Sequence, residues 1–140
     1  MTFGSVDELL EAAREGLTRL TPDEAAEAVA SGDLIVDIRP EWQRRELGEI
    51  PGSLVVERNH LEWRLHPHSD ARLPQADTRR RWIIVCTEGY TSSLAARSLR
   101  SLGLDAADIA GGIVAWREAG LPVVAGPTAI EQIVGGVSGT

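Results

Sequence analysis

One cysteine, one tyrosine, one phenylalanine and one methionine occur in 140 residues. A lone cysteine cannot close an internal disulfide, so no covalent staple holds this chain together. Long apolar runs are missing too: none approaches the roughly 20 residues of a membrane-spanning helix. Asp7, Glu8 and Glu11 interrupt the first apolar residues, so the N-terminus does not read as a signal peptide. Together these features predict a protein of the reducing cytoplasm. Positive charge is scarce as well. Fourteen basic residues face 21 acidic ones, for a formal net charge of −7 and a pI near 4.9. That balance argues against broad contact with nucleic acid or an anionic membrane. The cluster Arg79-Arg80-Arg81 therefore reads as a solvated strand entry. Apolar residues make up 43% of the chain, ordinary for one soluble domain with one core.

What is there alternates between strand and helix signals. Ser5 and Glu8 cap a first helix, Val6 to about Glu15. Leu17 to Leu20 is a short extended piece. Thr21-Pro22-Asp23-Glu24 starts a second helix, running to about Ala30 and stopped by Gly32. Leu34 to Ile38 is an apolar run suited to a strand buried on both faces. A short helix is expected from Pro40 to Leu47, a turn at Gly48–Gly52, a strand over Leu54–Glu57, and a helix capped by Asn59 and ending at Leu65. The stretch 66–79 reads as an irregular connection. Trp82–Val85 is the next strand, Ser92–Leu102 a helix, Ala106–Ile109 a strand and Ile113–Ala119 the last helix. Such alternation predicts an α/β fold with a mainly parallel sheet. The expected organisation is an N-terminal helical extension (1–17), the main domain (18–123) and a flexible C-terminal tail (124–140), with one or two helical turns allowed at Ala129–Val134.

Chemistry centres on Cys86. The text Trp82-Ile83-Ile84-Val85-Cys86-Thr87-Glu88-Gly89-Tyr90-Thr91-Ser92 ends a strand on the thiol and opens a helix six residues later. A strand–loop–helix of this kind aims backbone N–H groups and a helix N-terminus at the sulfur, which favours the reactive thiolate. The alternative is a small hydrophobe packed in the core. Strand carboxyl ends are also where open parallel sheets bind ligands. Asp37 and Arg39 read as a structural pair, since buried charges come matched. Trp42, Trp63, Trp82 and Trp116 read as packing residues. His66 and His68 lack a third ligand, so no metal is expected. His60 is a candidate proton donor near the thiol. Tyr90 either shapes the entrance to the site or packs on the following helix.

Four separated segments resemble one family, the single-domain rhodaneses. Asp37-Ile38-Arg39 is similar to the family's Asp-aliphatic-Arg segment. Gly48-Glu49-Ile50-Pro51-Gly52-Ser53 is similar to its Gly-His-Ile-Pro-Gly-Ala turn, with Glu49 in the His place. Cys86-Thr87-Glu88-Gly89-Tyr90-Thr91-Ser92 is similar to its Cys-x-x-Gly-x-Arg-Ser loop. Gly111-Gly112, Trp116, Gly120 and Pro122 are similar to its closing pattern. The resemblance spans about Thr18 to Val123. It implies a five-stranded parallel sheet flanked by helices on both faces. It also implies a sulfurtransferase without a cofactor, which holds a sulfane sulfur as a persulfide on Cys86. The sulfur would come from a small donor such as thiosulfate or 3-mercaptopyruvate. It would pass to a thiol acceptor, glutathione or a small redox protein.

By the same resemblance Thr87, Glu88, Gly89, Tyr90, Thr91 and Ser92 form the substrate-binding loop. The chain departs from the pattern at Thr91, where the family often has Arg. A charged contact of that kind is worth about 1.5–3 kcal/mol, so its loss points away from thiosulfate as the best donor. Arg58, after the Leu54–Glu57 strand, is the candidate replacement; its alternative is a surface pair with Glu57 or Glu62. Two other functions compete. A cysteine phosphatase or arsenate reductase needs a cation closing the loop, and neither Thr91 nor Ser92 is one. A non-catalytic binding or redox-sensor module would keep the thiol but not turn over.

Overall fold

The computed structural model describes residues 2–77 and 79–136. Its elements run α1 (Val6–Arg14), β1 (Arg19–Leu20), α2 (Pro22–Ala30), β2 (Leu34–Asp37), α3 (Glu41–Leu47), β3 (Leu54–Val55), α4 (Leu61–Leu65), β4 (Trp82–Val85), α5 (Thr91–Ser101), β5 (Ala106–Ile109) and α6 (Gly112–Glu118). Short 3-10 turns occupy Arg58–His60 and Pro74–Asp77. The helix starts follow the sequence signals. Ser5 accepts the Glu8 N–H at 3.1 Å. Thr21 and Glu24 close a reciprocal box at 3.2 and 2.9 Å. Asn59 caps nothing; it lies inside the 3-10 turn that leads into α4. Among the described residues no helix is long and apolar enough to cross a membrane.

The five strands form one parallel sheet in the order β1-β5-β4-β2-β3. Side chains on a strand alternate between faces, and the apolar strands use both. Leu34, Val36, Ile38, Trp82, Ile84, Cys86 and Ala106 pack against α4 and α5 through Leu61, Leu65, Ala95, Ala96 and Leu99. Ile35, Ile83, Val85, Ala107 and Ile109 pack against α2 and α6 through Ala25, Ile113 and Trp116. Trp82 and Trp116 are core residues, but Trp42 and Trp63 are about 60% exposed, which corrects their expected burial. Both occupy outer faces of short helices that bury only one stripe.

The strand order places the site. After β2 the chain turns through α3 toward β3. After β4 it turns through α5 toward β5, in the opposite direction. The two loops part between β2 and β4, leaving a crevice at the carboxyl ends of the strands.

The expected flexible tail is corrected over 124–136. Val124 and Glu49 exchange backbone hydrogen bonds at 2.8 Å. Val134 and the Gly52–Ser53 turn do the same at 2.8 Å, and Ile133 bridges Leu54 in antiparallel fashion. The physical reason is the edge: β3 has only β2 beside it, and an unpaired strand edge needs cover. Between these contacts Thr128 donates its N–H and Oγ to the Glu49 carboxylate, and Arg44 donates to both Glu49 (2.6 Å) and the Thr128 carbonyl (2.8 Å). Glu49, where the resemblance has His, is thus a fully buried clamp for the C-terminal segment. Residues 137–140 of the expected tail lie outside the described residues.

Burial alone would raise the Glu49 carboxyl. The hydrogen bonds from Arg44 and Thr128, with the Arg44 charge, outweigh burial and hold it below the usual carboxylate value. A depressed carboxylate stabilises the fold fully above its unfolded value, about 4.3, and ceases to do so as pH falls through the folded value. Glu49→Gln should lower unfolding stability at pH 7 by about 3–5 kcal/mol, because Arg44 is left as an uncompensated buried charge. Urea titrations from pH 7 to pH 3 should show a shallower acid loss in the variant than in the parent.

Candidate active site

Cys86 follows the last residue of β4 and sits 7% exposed at the floor of a cavity of about 230 Å³. The cavity lies in the crevice between the two diverging loops. Ile38, Arg39, Pro40 and Gln43 line it from the β2 side; Thr87, Glu88, Tyr90 and Thr91 line it from the β4 side. The Cys86 sulfur accepts the backbone N–H groups of Gly89 at 3.2 Å and Ser92 at 3.3 Å. α5 opens at Thr91 with its N-terminus at the thiol, so its dipole adds to the same field. The arrangement stabilises negative charge on the sulfur.

The loop keeps this shape because its carbonyls are held from outside. The first turn of α6 supplies two partners: Ile113 N–H to the Cys86 carbonyl at 2.9 Å and Val114 N–H to the Thr87 carbonyl at 3.1 Å. Close approach is possible only because Gly112 has no side chain. A Cβ there would fall 2.5 Å from both carbonyl oxygens, at a φ of +59°. Arg14 and Arg19 each donate to the Gly89 carbonyl at 2.8 Å. Arg19 also pairs with Asp108 at 3.1 Å, and Asp108 accepts the Ser92 and Ser93 hydroxyls at 2.8 Å. Asp108, on buried β5, therefore ties the start of α5 to β1.

Several expected residues meet here. Thr87, Glu88, Tyr90 and Thr91 line the cavity, while Gly89 and Ser92 present N–H groups to the sulfur. Tyr90 is 59% exposed and shapes the entrance. Asp37 and Arg39 form a buried pair at 2.6 Å, and Arg39 also donates to the Gly48 carbonyl, joining β2 to the turn after α3. Arg58 does not join them. It pairs with Glu62 at 3.0 Å within its own helical stretch and lines no part of the Cys86 cavity, so the expected donor contact is corrected. β3 ends at Val55, and the 3-10 turn carries Arg58 into α4 instead of along the strand edge. His60 does not line the cavity either. His66 is engaged locally, its Nδ1 accepting the His68 N–H at 3.0 Å. Among the described residues no three His, Cys, Asp or Glu side chains gather into a metal site.

Sequence reasoning missed Arg14, Arg19, Asp108 and Gln43. Gln43 accepts the Thr87 hydroxyl at 2.7 Å across the cavity. Asp108 had a visible signal: a carboxylate inside the apolar run Ala106–Ile109 requires buried partners.

The rhodanese-like domain model matches residues 21–119, and the chain belongs to that family. Among solved structures, a protein of unknown function from Rhodopseudomonas palustris, described as a possible tyrosine phosphatase, is 32% identical. The match covers 89% of this chain and 98% of that one, with a TM-score of 0.80. A rhodanese-related protein from Thermoplasma volcanium is 24% identical over 76% of this chain and 97% of its own, with a TM-score of 0.62. A thiosulfate sulfurtransferase from Pseudomonas aeruginosa is 22% identical, with a TM-score of 0.67; the match covers 82% of this chain but 21% of that one. A comparison with curated proteins finds no match.

Gly89 adopts a φ of +89°, and a Cβ on it would fall 2.7 Å from the Gly111 nitrogen and 3.1 Å from Arg19. Gly89→Ala should therefore cost about 1–3 kcal/mol in backbone strain alone. It should also slow alkylation of Cys86 in the folded protein, measured with iodoacetamide beside a urea titration.

Proposed function

We propose that this chain is a sulfurtransferase that carries a sulfane sulfur as a persulfide on Cys86. One observation supports the reading above the rest: the sulfur sits at a cavity floor with two backbone N–H groups directed at it. In the first half-reaction the Cys86 thiolate attacks the outer sulfur of a donor such as thiosulfate. A new S–S bond forms, the donor S–S bond breaks, and sulfite leaves with the bonding electrons. In the second, an acceptor thiolate attacks the terminal sulfur and Cys86 leaves as thiolate. The acceptor becomes a persulfide, and the cycle neither gains nor loses electrons. The N–H groups stabilise anionic sulfur at each stage, as preorganised donors do wherever charge develops. Glutathione or a small redox protein is the proposed acceptor, and the cytoplasm the proposed location.

A phosphatase reading deserves weight because of the description given to the Rhodopseudomonas protein. Phosphoryl transfer needs cationic donors on the equatorial oxygens. The residues that open α5 beside the sulfur are Thr91 and Ser92, and exposed Glu88 lines the same cavity. Arg14 and Arg19 are turned to the Gly89 carbonyl and are absent from the cavity lining, and Arg39, which does line it, is engaged by Asp37 and the Gly48 carbonyl. Polarisable sulfur attacking sulfur needs less fixed charge.

Intact mass spectrometry after incubation with thiosulfate, and separately with 3-mercaptopyruvate, should show a gain of about 32 Da that a thiol or cyanide removes and that Cys86→Ser lacks. No adduct with either donor, from folded protein with a titratable thiol, would favour the binding or sensor module. Thr91→Arg should raise kcat/KM for thiosulfate about tenfold to a hundredfold, the worth of one charged contact, about 1.5–3 kcal/mol. Steady-state assays with cyanide as acceptor measure it.

A further inference from the structure

The two arginines on the Gly89 carbonyl come from outside the matched family region. Arg14 closes α1 and Arg19 opens β1, whereas the match begins at residue 21. α1 lies against α5, and its last turn reaches past that helix to the loop. Arg14 uses both arms of its fork, donating Nε to the Ser93 hydroxyl at 3.0 Å and Nη2 to the Gly89 carbonyl at 2.8 Å. Arg19 spans the same carbonyl and the Asp108 carboxylate. No other carbonyl of the Cys86 loop receives two guanidinium groups among the described residues.

We infer that Arg14 and Arg19 are positioning residues that set the Cys86 loop for anionic sulfur, with α1 acting as part of the active site. Two physical effects combine. Gly89 donates its own N–H to the Cys86 sulfur at 3.2 Å and gives its carbonyl to both guanidinium groups, so anchoring that oxygen holds the residue, and with it one of the sulfur's donors, in place. Two cations behind the loop also place positive charge where it attracts an anionic sulfur. Beside Arg39, which lines the cavity and is paired with Asp37, these two cations supply positive charge from behind the loop. Turnover effects rest on the sulfur-transfer reading; the effect on thiol reactivity does not.

The test compares the full chain with Arg14→Met, which neutralises the fork without orphaning a carboxylate, and Arg97→Met. Arg97 donates to the Glu15 carbonyl at 3.0 Å and ties α1 to α5 away from the loop. Iodoacetamide alkylation at pH 7 should slow roughly three- to tenfold in Arg14→Met, about the worth of one lost hydrogen bond. Arg97→Met should stay within about twofold of the parent. Thiosulfate–cyanide turnover should fall in kcat by a similar factor with KM unchanged. Arg14→Gln, too short to reach Gly89, is read in the same way if the methionine variant does not fold. Alkylation at or above the parent rate in a folded Arg14 variant overturns the inference, since a merely loosened loop exposes the thiol. Equal slowing in Arg97→Met overturns it as well, because helix docking would then be the cause. Slowed alkylation with no turnover of thiosulfate or of 3-mercaptopyruvate in any protein leaves the positioning role standing and removes sulfur transfer.

Discussion

The site depends on the direction of a few peptide groups. A loop can turn N–H groups toward a sulfur only if its carbonyls find partners elsewhere, since a buried carbonyl left unpaired is costly. Here those partners come from three places: the first turn of α6 for Cys86 and Thr87, the end of α1 and the start of β1 for Gly89. Each requires a particular residue nearby. Gly112 allows α6 to touch the loop, Gly89 takes a backbone angle that other residues avoid, and Asp108 fixes Arg19. The thiol environment is therefore a property of four elements that converge at one strand end.

Among the described residues three carboxylates are buried, Asp37, Glu49 and Asp108, and each has an arginine: Arg39, Arg44 and Arg19. Pairs of this kind contribute little net stability beside well-packed apolar groups, but breaking one is severe. Their effect is geometric. Asp37–Arg39 fixes the turn after α3, Glu49–Arg44 fastens the C-terminal segment over the β3 edge, and Asp108–Arg19 fastens the cysteine loop. The chain has no lysine, and the use made of arginine shows why that suits it. A planar fork serves two acceptors at once, as Arg14, Arg19, Arg39 and Arg44 all do; a lysine head is a single point charge.

Much of this was legible in the sequence because it is written locally. Caps at Ser5 and Thr21, continuous apolar runs at Leu34 and Trp82, and the strand–loop–helix around Cys86 need no distant partner to be recognised. Two of the misses share a cause: contacts across long separations that involve backbone atoms. The segment 124–136 lacks periodicity because its contacts to Glu49, Ser53 and Leu54 are mostly backbone pairings, which leave little trace in side chains. Arg14 bonds Gly89 across 75 positions, and nothing near Arg14 advertises a target. Arg58 failed for the opposite reason. Its expected place rests on a strand running to Glu57, and β3 stops two residues earlier.

Where positive charge sits also bears on the choice of chemistry. A guanidinium inside the cavity would bind an oxyanion directly and so discriminate among donors and products by their oxygens. A guanidinium behind the loop does not touch the substrate; it acts on whatever charge the sulfur itself bears, equally for each donor. Here Arg39 lines the cavity wall with its charge shared with Asp37, while Arg14 and Arg19 stand behind the loop, so most of the positive charge near the site acts on the sulfur and not on a head group. A site of this design should be tolerant in its donor, with selectivity left to the entrance, where exposed Tyr90 and Glu88 meet whatever approaches. It is also poorly suited to phosphoryl transfer, whose charge develops on oxygens, because Arg39, the guanidinium in the cavity wall, is already paired with Asp37.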